Sequence, residues 1–217
     1  MKPRVVVLSA PSGGGKTTIA QALLRARADM EYSVSATTRP PRPGERNGQA
    51  YHFLSREEFA QRRTRGEFLE CAEYAGEWYG TLRSEVERVL ASGRHVMLDI
   101  EIEGAREVRR AYPPPASVSV FVLPPNVSVL LERLGQRKSE SGDARRRRLE
   151  HAVAEVREAP RYDYVLVNDD LAAAVEAVSR IVDGAANVPR RPAGLENLLQ
   201  TLARDLARAA EDRPRGP

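Results

Sequence analysis

The chain has 217 residues, 41% hydrophobic and 29% charged, which suits one compact domain with inserted lobes and the balance of a soluble globular protein. No apolar run is long enough to form a bilayer-spanning helix, and the single cysteine, Cys71, excludes an internal disulfide. The net charge of +4 is local: residues 137–148, RKSESGDARRRR, hold six cations against two acids, which is the whole excess.

A first strand is expected over residues 4–9, where Val5, Val6, Val7 and Leu8 form an apolar run too short for a secretory leader. With one cysteine, this points to a reducing, cytoplasmic setting. The loop LSAPSGGGKTTIA follows at once, and a helix is expected over about residues 16–28. Gly13, Gly15, Lys16 and Thr17 match the end of the phosphate-binding pattern G-x-x-x-x-G-K-[ST], in which backbone N–H groups, a lysine and a hydroxyl surround phosphates and Mg²⁺. Ala10 stands where the pattern has its first glycine, which alanine can replace if φ stays negative. Strand before and helix after place the loop at a helix N-terminus, which favours anions. A nucleoside triphosphate is implied, bound by residues 10–18: Ala10, Pro11, Ser12, Gly13, Gly14, Gly15, Lys16, Thr17 and Thr18.

Residues 32–79 break the strand–helix alternation and read as a lobe of mixed structure. Its Pro/Arg-rich turn, RPPRPGERNG, presents Arg39 and Arg42 on a backbone stiffened by prolines, two guanidinium forks suited to a dianionic phosphate. A helix opens at Ser55-Arg56-Glu57-Glu58, a capping box, and ends near Gly66. The segment EFLECAEYAGEWYGT then sets acids beside tyrosines, so a whole nucleotide can be accommodated: arginines on its phosphate, a carboxylate on its base.

Beyond the lobe the alternation resumes. HVMLDI, residues 95–100, is an apolar strand ending in Asp99, an acid placed to hold Mg²⁺ or its waters. SVSVFVL, residues 117–123, is another strand, followed by Pro124-Pro125 and a helix over residues 127–134. DYVLVN, residues 163–168, and the helical pattern LAAAVEAVSRIV complete the series. Apolar strands separated by helices imply an α/β fold: a parallel central sheet flanked by helices. The tail carries Leu195, Leu198, Leu199, Leu202 and Leu206 at helical spacing, a stripe that docks on its own domain or on a second subunit. The basic run lacks the interleaved aromatics that would stack nucleic-acid bases, and a polyanionic small molecule is the better match.

These motifs, in this order, resemble the bacterial guanylate kinase family from about Val5 to about Val182: SAPSGGGKTT, SVSATTRPPRPGERNGQAYHF, YAGEWYGT, MLDIEIEGA, RLGQRKSESGDARRRRL and YDYVLVNDD. The resemblance implies a P-loop kinase in which ATP, with Mg²⁺, phosphorylates GMP and also dGMP. It implies a core of residues 1–32 and 83–187 with a helical lid at about 135–150 and a GMP-binding lobe of residues 33–82; residues 188–217, outside the resemblance, are read as a C-terminal helical extension. By the same resemblance Ser35, Thr81 and Glu70 read guanine, Arg39, Arg42, Tyr51 and Tyr79 surround the GMP phosphate, and Glu101 lies near the base in place of the usual aspartate. Thr17 and Asp99 belong to the Mg²⁺ neighbourhood, Asn168 to the adenine end of ATP, and Arg137 and Arg148 to the lid. Lys16, Arg42, Arg137 and Arg148 are then the catalytic cations, and the chain is expected as a monomer or homodimer without nucleic-acid or membrane partners. The competing readings are a P-loop kinase with another phosphorylated acceptor and a catalytically inactive guanylate-kinase-like binding module.

Overall fold

The computed structural model describes residues 2–74, 76–135 and 142–211. The chain begins with β1 (Val5–Ser9), α1 (Lys16–Ala26) and β2 (Met30–Tyr32). Two short strands, β3 (Ala36–Thr37) and β4 (His52–Phe53), precede α2 (Arg56–Thr64), β5 (Phe68–Tyr74) and β6 (Glu77–Leu82). Then come α3 (Arg83–Ala91), β7 (His95–Asp99), α4 (Ile102–Ala111), β8 (Ser117–Leu123), α5 (Val127–Gly135) and α6 (Gly142–Glu158). A 3-10 turn (Ala159–Arg161), β9 (Tyr164–Val167), α7 (Leu171–Val182) and α8 (Leu195–Glu211) complete the described chain.

The central sheet has the order β2-β7-β1-β8-β9 and is flanked by helices. Its β2–β7 and β8–β9 pairs run parallel, Met30 facing His95 and Val120 facing Tyr164. Val5, Val6, Val7 and Leu8 are fully buried, as are Val120, Phe121, Val122 and Leu123. Strands buried on both faces lose the alternation of a half-exposed sheet and read as continuous apolar runs, which is why β1 and β8 were visible in the sequence.

A second sheet, β4-β3-β6-β5, is built from residues between Ala36 and Leu82. Its β5–β6 hairpin pairs Glu70 with Thr81 and Ala72 with Tyr79. Ala36, Phe59, Phe68 and Leu82 form its own small core, with Phe59 stacked on Phe68 at 4.3 Å and Cys71 packed alongside. Ser55 caps α2 by accepting the Glu58 N–H at 3.0 Å, while the Glu58 carboxylate turns to Arg62 Nη2 at 2.7 Å, one helical turn on. The Ser55 half of the expected capping box is thus present, and an i,i+4 ion pair engages its acid.

The chain divides into two compact units: unit 1 is Met1–Val7 with Leu24–Val118, and unit 2 is Leu8–Leu23 with Ser119–Pro217. In unit 2, α8 lies on α6 and α5 with Leu202 and Leu206 fully buried, so the leucine stripe of the tail docks within its own chain. Arg191 fastens the chain ahead of α8. Its Nη2 donates to the carbonyls of Pro160 at 2.9 Å and Tyr162 at 2.7 Å, and its Nη1 to that of Asp163 at 3.0 Å. The Val165 N–H donates to Arg190 O at 3.0 Å, which covers part of the β9 edge. Among the described residues, no helix is long and apolar enough to cross a membrane.

Candidate active site

The loop between β1 and α1 forms a cradle. Gly13 (φ +84°) and Gly15 (φ +95°) adopt the left-handed backbone that glycine alone takes without strain. The turn closes through the Gly14 N–H to Pro11 O at 2.7 Å. A Cβ on Gly14 would fall 2.7 Å from the Ala10 Cβ. The methyl that departs from the phosphate-loop pattern therefore occupies space left open by a glycine four residues on.

Three side chains of unit 2 fasten this cradle. Asn168, only 5% exposed at the end of β9, donates Nδ2 to Gly14 O at 3.2 Å, and Arg133 of α5 approaches the same carbonyl at 3.4 Å. In a trans peptide the C=O and the following N–H point oppositely, so drawing the Gly14 carbonyl to one side aims the Gly15 N–H to the other. Glu155 of α6 accepts the Ser12 N–H at 3.1 Å. Lys16 and Thr17 open α1, whose first turn contains no acid to oppose an anion. Arg148, half-buried, lies seven residues before Glu155 on α6, nearly two helical turns, so both leave the helix on one face.

Unit 1 carries the other cluster. Arg39 Nη2 bonds both oxygens of Glu45, at 2.9 and 3.0 Å, and Nη1 donates to Pro40 O at 2.7 Å. Its guanidinium carbon lies 5.4 Å from the Tyr51 ring centre and 5.8 Å from that of Phe53. Tyr51 meets Tyr79 edge-on at 5.9 Å. Glu45 also accepts the Arg42 N–H at 2.7 Å, so one carboxylate organises the whole Pro/Arg turn. The Arg39 guanidinium in turn holds the Glu45 carboxyl below the usual carboxylate range. The Arg42 residue is exposed.

Glu70 extends from β5, and its Oε1 accepts the Thr81 hydroxyl at 2.6 Å; Thr81 is fully buried. Burial pushes the Glu70 carboxyl above its ordinary range, the Thr81 bond opposes this, and the Glu101 charge adds to the upward push. Glu101 is the exposed N-terminal flanking residue of α4. Asp99 ends β7, and its charge, after burial, raises the Tyr32 phenol further. Ser35 is half-buried beside β3, its carbonyl accepting the His52 N–H at 2.8 Å. Among the described residues, no three His, Cys, Asp or Glu side chains gather into a metal cage.

The sequence profile of the guanylate kinase family matches residues 2–185. The chain belongs to the guanylate kinase family. It is 48% identical to guanylate kinase of Symbiobacterium thermophilum over 203 residues, 92% of this chain and 95% of that one. It is 49% identical to that of Rubrobacter xylanophilus over 185 residues, 83% and 96% of the two chains. The crystal structure of guanylate kinase from Anaplasma phagocytophilum matches with a TM-score of 0.68 at 32% identity, covering 91% of this chain and 94% of that one.

The residues expected from the guanylate kinase resemblance fall into two groups. Ala10, Pro11, Ser12, Gly13, Gly14, Gly15, Lys16, Thr17, Thr18, Arg148 and Asn168 belong to unit 2. Ser35, Arg39, Arg42, Tyr51, Glu70, Tyr79, Thr81, Asp99 and Glu101 belong to unit 1. Arg137 lies outside the described residues. Sequence reasoning missed Glu45, Arg133 and Glu155. Glu45 had a local signal, an acid three residues after Arg42 in a Pro/Gly turn. Glu155 had none, being 143 residues from Ser12.

Proposed function

We propose that this chain transfers the γ-phosphoryl group of ATP to GMP, and likewise to dGMP, giving ADP and the diphosphate. The observation that carries the choice of acceptor is Glu70, a half-buried carboxylate with one oxygen anchored on Thr81. Guanine presents N1–H and N2–H₂ side by side, and one carboxylate can accept both. Adenine has no such donor pair and would leave the desolvated carboxylate unsatisfied, a penalty of about 1–3 kcal/mol or more.

In this reading the Ser12 and Gly14 N–H groups, already committed to Glu155 and Pro11, shape the loop. The phosphates are then met by the amides of Gly13, Gly15, Lys16, Thr17 and Thr18, and Lys16 reaches the outer phosphates. Asn168 contributes at the adenine end with its amide nitrogen tied to Gly14 O. Arg39, pre-set by Glu45, and Arg42 bind the acceptor phosphate with Tyr51 and Tyr79 around it. Ser35 and Thr81 lie near guanine O6, and Glu101 stands near the base. Arg148, with Arg137, neutralises charge on the transferring group; arginines in that role contribute about 10³–10⁵ in rate.

No histidine base is required, because positioning and charge stabilisation dominate phosphoryl transfer. The Thr17 hydroxyl and the Asp99 carboxylate are each the hard oxygen donor that Mg²⁺ takes. Mg²⁺ bound with ATP supplies charge neutralisation on the β- and γ-phosphates. We place the reaction in the cytoplasm, where ATP and nucleoside monophosphates meet.

The test is ADP release by the purified protein with Mg²⁺–ATP and GMP, dGMP, AMP, CMP, UMP or dTMP. Turnover confined to GMP and dGMP is expected. Turnover with another acceptor overturns the Glu70 assignment, and binding of GMP without any turnover overturns the reaction.

A further inference from the structure

Glycine is among the poorest helix formers, yet Gly104 stands in the first turn of α4. The backbone does not demand it, because Gly104 is helical and lacks the positive φ of Gly13 and Gly15. A neighbour does. A Cβ on Gly104 would lie 2.7 Å from Glu70 Oε2, 2.9 Å from its Cδ and 3.1 Å from its Cγ. Cβ atoms essentially never come within 3.0 Å of another heavy atom.

Glu70 is therefore gripped from two sides. Its Oε1 is held by the buried Thr81 hydroxyl at 2.6 Å, and its Oε2 lies against the bare backbone of α4. That helix packs along β5, the strand from which Glu70 projects. A carboxylate accepting two adjacent N–H groups must present both oxygens in the plane of the donors. The absent side chain lets the carboxylate sit flat and deep enough for that.

We propose that Gly104 is a positioning residue for guanine recognition: its missing side chain sets the depth and tilt of the Glu70 carboxylate. The inference rests on the reading of Glu70 given under Proposed function. A methyl at residue 104 is relieved most easily by turning the far end of Glu70, because that end is a flexible side chain and the helix backbone is not. Turning it breaks the Thr81 bond or tips the carboxylate out of plane. The ATP-facing loop belongs to unit 2 and takes no part in this contact.

The experiment compares Gly104→Ala, Glu70→Ala and the double variant, measuring Kd and KM for GMP, KM for ATP, kcat and Tm. For Gly104→Ala the Kd and KM for GMP should rise about tenfold, the factor that about 1.4 kcal/mol represents. Its KM for ATP and its kcat at saturating GMP should hold, and its Tm should fall by no more than a few degrees, the helix preference of alanine offsetting part of the strain on the Thr81 bond. In the Glu70→Ala background the second change should add nothing, the mark of residues acting through one contact. Wild-type GMP affinity in Gly104→Ala, effects that simply add, or a protein that melts early or fails to fold would each overturn the proposal. If Glu70→Ala itself left GMP binding untouched, the reading of Glu70 would fail; if only Gly104→Ala were silent, that reading would stand and this one would fall.

Discussion

Replacing Glu70 by Gln keeps the outline of the side chain and removes its charge. The surroundings make the outcome calculable. One oxygen accepts from Thr81 at 2.6 Å, and the other lies against Gly104. Against guanine, the amide can accept one N–H, but its own NH₂ then faces the second donor. The loss is one charge-assisted hydrogen bond, about 1.5–3 kcal/mol, or roughly 10- to 100-fold in KM for GMP. Adenine offers an acceptor beside a donor, which an amide can match, so discrimination should fall further than GMP affinity alone.

The pH dependence of this change has a defined sign. Burial raises the Glu70 carboxyl from its ordinary value of 4.5, so ionising it costs folding stability as pH rises from 4.5 through the raised value, and the cost persists above. Glu70→Gln should therefore gain Tm over wild type across that window and keep the gain at neutral pH. Conversely, the wild-type KM for GMP should rise as pH falls toward the raised value, because the protonated carboxyl loses an acceptor, while the variant stays flat. The assay is coupled ADP release with GMP and AMP across that range, with melting curves on the same samples. An unchanged GMP-to-AMP ratio of kcat/KM in a folded variant would show that the base is read elsewhere.

Lys16→Ala should lower kcat by at least about 10²-fold, as removal of a preorganised charge does, without lowering Tm; near-normal turnover would sink the phosphate-loop assignment. Glu155→Ala frees the Ser12 N–H, a bond to a charged acceptor worth about 1.5–3 kcal/mol, so KM for ATP should rise about tenfold with KM for GMP unmoved. Glu155→Gln, which keeps an acceptor oxygen, should recover part of that loss, and an equal shift in both KM values would contradict the idea. Arg191→Ala removes the donors to the carbonyls of Pro160, Tyr162 and Asp163. About 2 kcal/mol lost there lowers Tm by roughly 4–8 °C in a chain of this size. Steady-state kinetics at room temperature should be unaffected; impaired kinetics with an intact Tm would assign the tail a part in catalysis.

Much of the fold was legible because its signals are local. Val5 to Leu8 and Val120 to Leu123 read as strands since burial on both faces leaves no polar residue in either run. Ser55 declared a helix start because the capping bond spans only three residues. The leucines of the tail marked α8 by their spacing, while the choice between docking at home and docking on a partner needed the structure. The β5–β6 hairpin was harder to see, because acids and tyrosines interrupt its apolar alternation.

The candidate site divides in the same way. Gly13, Gly15, Lys16 and Thr17 announce a phosphate cradle by themselves, because the loop's chemistry lies in its own backbone and the helix it opens. Arg39 and Arg42 stood out as a pair, since the prolines that stiffen them are adjacent in the chain. The sequence by itself therefore determined the family, the parallel α/β architecture and the phosphate-loop pattern. Only the tertiary structure decided how those elements are held. Glu45 on Arg39, Glu155 on Ser12, Asn168 on Gly14 and the space at Gly104 beside Glu70 are contacts between side chains and backbone brought together by folding. Such contacts have no periodicity and no fixed spacing, because a hydrogen bond or a missing methyl acts over about 3 Å of space whatever length of chain lies between.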